Sequence, residues 1–357
     1  MALWALMYSG ALPWVTPRAP VWHAHEMIFG FTLAVVAGFL FTAVGNWTQR
    51  ETPTGGWLAA IVALWVAGRV LMFTPYALAA GVVNVAFPLA VAIGIAIPLL
   101  AGGNRRNYFF AGLLVAASIA AAVVHLAQAG RIELPERLGL QAGLDLVLFM
   151  IAVIGGRVLP MFTNNGVPGA GATRNAWVER ASLGGVLALL AADVAGLDAG
   201  VLGLLSLAVA VAHAWRLALW RPWRVLRNPL VWILHAAYAW IPVYLVLRAL
   251  ASAGLVAAPF ATHALTIGAI GGMTLGMMTR TARGHTGRPL AADRFEVAAY
   301  ALVLAAAAVR VFGGMALPAL YLQSVYVAAV CWSAAFGIYA VRYWPILTRP
   351  RVDGRPG

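Results

Sequence analysis

Long apolar runs separated by short polar or Gly/Pro-bearing breaks dominate the chain from residue 27 to residue 341. A bilayer core needs about 20 apolar residues per helix, and runs of that size fall near 27–46, 57–74, 77–100, 108–128, 139–162, 178–196, 199–219, 230–252, 259–279, 294–313 and 317–341. The pattern predicts eleven spans. Unbroken runs of helical length exclude a β-barrel. Connections such as Thr74-Pro75-Tyr76 and Gly196-Leu197-Asp198 are too short to hold a soluble domain. The expected architecture is an all-α polytopic transmembrane helix bundle, one integral-membrane domain over residues 1–357. Residues 1–12 read as the end of a truncated first helix, and the untruncated chain would have twelve spans with both ends inside.

Composition agrees with the pattern: 63% of residues are apolar, 10% are charged, and the mean hydropathy is +0.87, values that belong to a membrane protein. The net charge of +13 would suggest nucleic acid in a soluble chain, but its placement reports topology instead. All 24 basic residues are Arg. Assigning the loops alternately to two sides gathers Arg50, Arg105, Arg106, Arg174, Arg180, Arg221, Arg224, Arg227, Arg280, Arg283, Arg288, Arg342, Arg349, Arg351 and Arg355 on one side. Arg18, Arg131 and Arg137 fall on the other. The positive-inside rule makes the first side cytoplasmic. The C-terminus is therefore expected inside. The single Cys331 offers neither a disulfide nor a thiolate cluster, so any metal would be held by His, Met or carboxylate.

A weak internal repeat links Ile154-Gly155-Gly156-Arg157 through Thr163 with Ile270-Gly271-Gly272-Met273 through Thr279, and more faintly with Val36-Ala37-Gly38-Phe39. Each copy falls late in a span, four helices from the next, which suggests three four-helix units. Shared glycine-rich composition would produce the same likeness. Gly268, Gly272 and Gly276 recur at every fourth position and make a groove for close helix packing or a smooth wall for a flat macrocycle.

Ionisable side chains at membrane depth mark functional sites by default. Trp22-His23-Ala24-His25-Glu26-Met27 stands at the mouth of the first long span. Counting depth at 1.5 Å per residue sorts the histidines into an outer set, His23, His25, His125 and His263, and an inner set, His235 and His285. Haem iron takes one or two axial imidazoles and suits Arg near its propionates; copper takes imidazole and, when reduced, thioether. His23, His25 and His263 are therefore candidate metal ligands, with Met27, Met273 and Met277 as soft partners and Glu26 as an acceptor behind an imidazole. Arg69 and Arg310 are candidate propionate partners for an outer haem, Arg157 and Arg280 for an inner one. Each histidine also suits a hydrogen-bonded structural role, His125 and His213 above all, and the buried arginines also suit ion pairing with Asp145 or Asp193, or snorkelling.

Trp22-His23-Ala24-His25-Glu26-Met27-Ile28-Phe29-Gly30-Phe31 with Asn46-Trp47-Thr48, Gly155-Gly156-Arg157-Val158-Leu159-Pro160, Trp232-Ile233-Leu234-His235, and His263-Ala264-Leu265-Thr266-Ile267-Gly268 through Gly284-His285-Thr286-Gly287-Arg288-Pro289 resemble the signature of the NnrS proteins. The resemblance spans nearly the whole chain. It implies a twelve-helix, haem- and copper-containing inner-membrane protein of bacteria that acts in denitrification and protects against nitric oxide, with His23, His25, His235, His263 and His285 as the cofactor-binding histidines. It leaves open which of them hold haem and which hold copper. The chain departs from the pattern in its first helix and at Gly45, where Pro is expected. The implied partners are nitric oxide or a related small molecule, the lipid bilayer and a membrane electron donor, with no nucleic acid. A redox enzyme acting on nitric oxide, and a transporter or sensor with ligand-binding histidines, are the alternatives. Against the enzyme stands the lack of an inward set of three or four histidines and of a Glu/Lys proton channel.

Overall fold

The structure is a computed structural model that describes residues 2–13 and 19–354. Arg18 and Arg355, used in the topology count, lie outside the described residues. Every regular element among the described residues is helical. Twelve helices follow in order: α1 Ala2–Tyr8, α2 Pro20–Thr48, α3 Gly55–Leu71, α4 Ala77–Ala101, α5 Arg105–Gln128, α6 Glu136–Gly166, α7 Ala176–Val194, α8 Ala199–Arg224, α9 Pro229–Ser252, α10 Ala258–His285, α11 Arg294–Ala316 and α12 Pro318–Leu347. Nine of the described helices are long and apolar enough to cross a membrane; α3 is a shorter apolar helix. The eleven expected spans thus correspond to α2 through α12. Their ends run further than hydropathy suggests, most of all in α2 and α10. The reason is that polar residues at a membrane interface continue a helix as readily as they end one, so Trp22 to Glu26 and Arg280 to His285 remain helical.

By its contacts the chain divides into two compact units. One holds Pro13–Met150 with Leu190–Gly196; the other holds Met1–Leu12, Ile151–Leu189 and Leu197–Gly357. In the first, α4 packs against α3, α5 and the later part of α2. Gly94 lets α4 approach closely, since a Cβ there would stand 2.8 Å from Pro53 and 3.0 Å from Phe41. Trp47, Phe110 and Phe109 stack in series. In the second unit α9 is central, packed against α8 and α10, while α11 packs against α12. Here the Gly268, Gly272 and Gly276 groove is filled by α9: a Cβ at Gly268 would meet Trp240, one at Gly272 would meet Ala237, and one at Gly276 would meet Leu234 and Ile233. The groove is a helix-packing surface, which corrects its reading as the wall of a macrocycle.

Two helices are interrupted in the same way. α2 is α-helical to His25, π-helical over Glu26–Thr32 and α-helical again from Leu33. α10 is α-helical to His263, π-helical over Ala264–Gly271 and α-helical from Gly272. A third π segment, Val309–Gly313, lies in α11. Such segments are rare and concentrate at functional sites, because the widened turn shifts side chains off the 3.6-residue register. His23 and Met27, four residues apart, lie on either side of this change of register. The repeat copy Ile154–Thr163 lies in the uninterrupted helix α6 and has no π segment.

Candidate functional site

The π segment of α2 brings a histidine, a carboxylate and an arginine together in the first unit. His25 is fully buried. Its Nδ1 lies 3.2 Å from Glu26 Oε1, and its Nε2 lies 3.1 Å from His125 Nε2, carried by α5. The two ring planes stand 72° apart. Because a carboxylate only accepts, His25 Nδ1 is the protonated nitrogen, and Nε2 turns a lone pair toward His125. A carboxylate behind an imidazole whose other nitrogen faces a second imidazole is the arrangement that orients metal-binding histidines.

The separation of the two Nε2 atoms discriminates between metal groups. Two ligands of a tetrahedral ion at bond lengths near 2 Å stand roughly 3.3 Å apart, whereas two trans ligands stand about 4 Å apart. The observed 3.1 Å is a hydrogen bond between the rings, His125 Nε2–H donating to His25 Nε2, and lies close to the first of these separations. Gly81 of α4 supports His125 from behind, where a Cβ would stand 3.3 Å from its Cβ.

Glu26 is held in turn by Arg69 of α3, whose Nε lies 2.7 Å from Oε2. Arg69 Nη2 donates to Asn84 Oδ1 of α4, and Asn84 Nδ2 donates to the Ala80 carbonyl, 2.8 Å. Trp65 Nε1 donates to the Gly30 carbonyl, 3.0 Å, within the π segment. A Cβ at Gly30 would collide with Arg69 Nη1, so the glycine is what lets the guanidinium lie against α2. The charge partner of Arg69 is thus Glu26 of the motif itself; Asp145, expected from its depth, accepts from Gln141 Nε2, 3.0 Å.

A family model described as NnrS protein matches residues 1–351. The chain belongs to the NnrS family. No curated protein matches it.

The other histidines of the NnrS motifs occupy different settings. His263, half-buried on α10, places Nδ1 2.6 Å from the Pro259 carbonyl one turn earlier. The carbonyl can only accept, so Nε2 again carries the lone pair. α10 before its π segment packs against the π segment of α11, where Arg310 is 6% exposed. Arg310 Nη2 donates to Tyr321 Oη, 2.8 Å, and the guanidinium lies over the Tyr321 ring, 4.8 Å from its centroid.

His235 of α9 lies 2.7 Å through Nε2 from Thr163 Oγ1 of α6. The Thr163 hydroxyl already donates to the Leu159 carbonyl, 2.8 Å, so His235 donates through Nε2 and its buried Nδ1 has no partner. His285 is the last residue of α10 and is exposed; its carbonyl accepts from Arg351, 2.7 Å. The Gly-flanked stretch around it is thus the end of the helix through His285 and not a loop. His23 and Met27 are half-buried on α2, Met273 is buried and Met277 half-buried on α10. None of the contacts described here joins these thioethers to an imidazole. Arg280 lies over the Phe162 ring, 4.0 Å from its centroid.

His213, read from sequence as a bland interfacial residue, is fully buried, and its Nδ1 pairs with Tyr238 Oη, 2.7 Å. Tyr238 also accepts from Arg216 Nη1, 3.0 Å, and Arg216 forks onto Glu179 at 2.9 and 2.6 Å. This network knits α7, α8 and α9. A cavity of about 800 Å³ lined by Gly166–Ala170, Trp223, Arg224 and Leu290 contains no histidine and lies on the connections between helices.

Proposed function

We propose that the chain is a haem- and copper-binding protein of the bacterial inner membrane, C-terminus inside, that confers resistance to nitric oxide in denitrifying cells, and that copper is held by His25 and His125. The role in the nitric oxide response is the family-level expectation for an NnrS protein. The observation that supports copper here is the buried pair of imidazole Nε2 atoms 3.1 Å apart, one of them backed by a carboxylate. Two imidazoles without a thiolate suit copper well. Copper bound at this point would supply a redox-active centre with affinity for nitric oxide.

The chain's own residues do the positioning. Glu26 fixes the His25 tautomer and ring plane. Arg69 neutralises Glu26 and, through Asn84, ties α2 to α3 and α4. Burial of His25 keeps bulk water from its nitrogen. A site that binds without turnover and one that passes electrons to nitric oxide share these features, and exposure of the reduced protein to nitric oxide, with and without an electron donor, separates them.

The test is metal analysis with an absorption spectrum of detergent-purified wild type, His25→Ala and His125→Ala, expressed with copper and haem replete. Copper in fixed ratio to wild-type protein, lost from both variants, is the expected result. Full copper in both variants would overturn the assignment.

A further inference from the structure

The second unit carries a cassette built like the copper site but with its charge left open. His25, Gly30 and Gly38 have the same spacing as His263, Gly268 and Gly276, and each histidine is the last α-helical residue before a π segment. Each cassette is followed by an arginine on the next helix, Arg69 on α3 and Arg310 on α11, and each arginine takes a polar partner from the helix after that, Asn84 or Tyr321. This register pairs Gly38 with Gly276, one helical turn from the sequence repeat, which pairs it with Gly272.

The cassettes differ in what balances the arginine. Arg69 has Glu26. The residue after His263 is Ala264, and among the described residues no carboxylate lies within ion-pair distance of Arg310. Its Nη1 is buried and makes no hydrogen bond, as is also true of Arg69 Nη1, so the head group is not snorkelling to water and the difference between the two lies in the carboxylate alone. A buried, always-protonated guanidinium with an unmatched N–H is costly in a membrane interior, and it calls for an anionic group from outside the chain. His263 ends the stretch of α10 that packs against the π segment carrying Arg310, with its Nδ1–H bound to a backbone carbonyl and its Nε2 lone pair available. An imidazole donor beside an unmatched guanidinium suits a ligand that joins a metal to a carboxylate.

We propose, building on the haem- and copper-binding reading above, that His263 and Arg310 form a separate haem site, His263 Nε2 serving as an axial ligand and Arg310 pairing with a propionate. The copper site at His25 has its counter-charge built in; the haem site receives it from the cofactor.

The test compares haem with its dimethyl ester, which keeps the iron and lacks the carboxylates, on wild type, His263→Ala, Arg310→Gln and Arg310→Lys, with copper content and thermal unfolding as controls for folding. Wild type should prefer haem over the ester by about tenfold or more, the size of one charge-assisted hydrogen bond. Arg310→Gln should erase that preference while retaining copper, Arg310→Lys should restore part of it, and His263→Ala should lose the haem spectrum with either form. Full haem in a folded His263→Ala protein, or an undiminished preference in Arg310→Gln, would overturn this site while leaving the copper reading intact. An equal affinity of wild type for haem and ester, together with protection of Arg310-dependent unfolding by nitrite, would overturn it in favour of a free anion. Wild type lacking haem and copper alike would defeat the functional reading itself, and this site with it.

Discussion

The cassettes at His25 and His263 share a backbone device and diverge in charge. Each ends an α-helical stretch at a histidine, opens into a π segment, and sets an arginine from the next helix beside it. In the first, a carboxylate backs the imidazole and neutralises the arginine. In the second, a backbone carbonyl backs the imidazole and the arginine has no carboxylate. A carboxylate-backed imidazole is the more basic donor and suits a bare cation; a neutral imidazole beside an open positive charge suits a metal that arrives with its own anions. The two cassettes thus share a backbone solution and differ in charge, Glu26 against Ala264, and in the second imidazole, His125, that faces His25.

The largest effect expected on stability comes from breaking the balanced cassette. Glu26→Ala strands Arg69 without its counter-charge; the two side chains are 16% and 19% exposed, so the cost should fall at or below the low end of the about 3–5 kcal/mol of a fully buried pair. The double variant Glu26→Gln with Arg69→Gln should recover most of that. In haem-free protein Arg310→Gln should fall within about 1 kcal/mol of wild type, since it gives up one hydrogen bond and also removes a buried unmatched charge. Thermal or denaturant unfolding in detergent orders the three. Equal losses for Glu26→Ala and Arg310→Gln would mean the cassettes do not differ in charge balance.

A smaller effect separates the two glycines. Gly268→Ala drives a methyl into the Trp240 indole held between α9 and α10, at a cost of about 1–3 kcal/mol. Gly30→Ala meets the end of the flexible Arg69 side chain. Its stability should change less, but copper retention should fall as Arg69 is pushed from Glu26. A Gly30→Ala protein with full copper would remove Arg69 from the positioning of that site.

Much of this architecture was legible in sequence, and the failures have physical causes. Apolar runs located the nine helices long and apolar enough to cross a bilayer and the shorter α3 because the bilayer demands them; α7, also expected as a span, is helical but is not one of the nine. Helix ends were read short where polar residues stay helical, as at Trp22 to Glu26. His125 was discounted because its partner lies 100 residues away and nothing around it forms a motif; only the packing of α5 brings it to His25. Depth offered Asp145 or Asp193 as partners for the buried arginines, whereas the partner of Arg69 stood in the motif already singled out. The π segments were invisible because a 3.6-residue reading assumes the register they alter. Spacing alone left the glycine groove ambiguous, and Trp240, Ala237 and Ile233 settle it as packing.

The smallest effect serves as a control outside both cassettes. Asp293 caps α11 and pairs with Arg342. Burial alone would raise its carboxyl pKa, but hydrogen bonds from the Phe295 and Glu296 N–H groups, with the nearby Arg342 charge, hold it below the usual range. A lowered folded pKa means that its stabilisation is full above about pH 4 and fades as the pH falls through the folded value. Asp293→Asn should therefore weaken the acid dependence of the unfolding midpoint without altering copper or haem content; an unchanged acid limb would remove Asp293 from that account.

The central claim is that two like-built cassettes hold different cofactors, and the most direct measurement is copper and haem content determined together on His25→Ala and His263→Ala. The account predicts a crossed result: His25→Ala loses copper and keeps haem, and His263→Ala loses haem and keeps copper. Loss of the same cofactor from both variants, or retention of both cofactors in either, would contradict it.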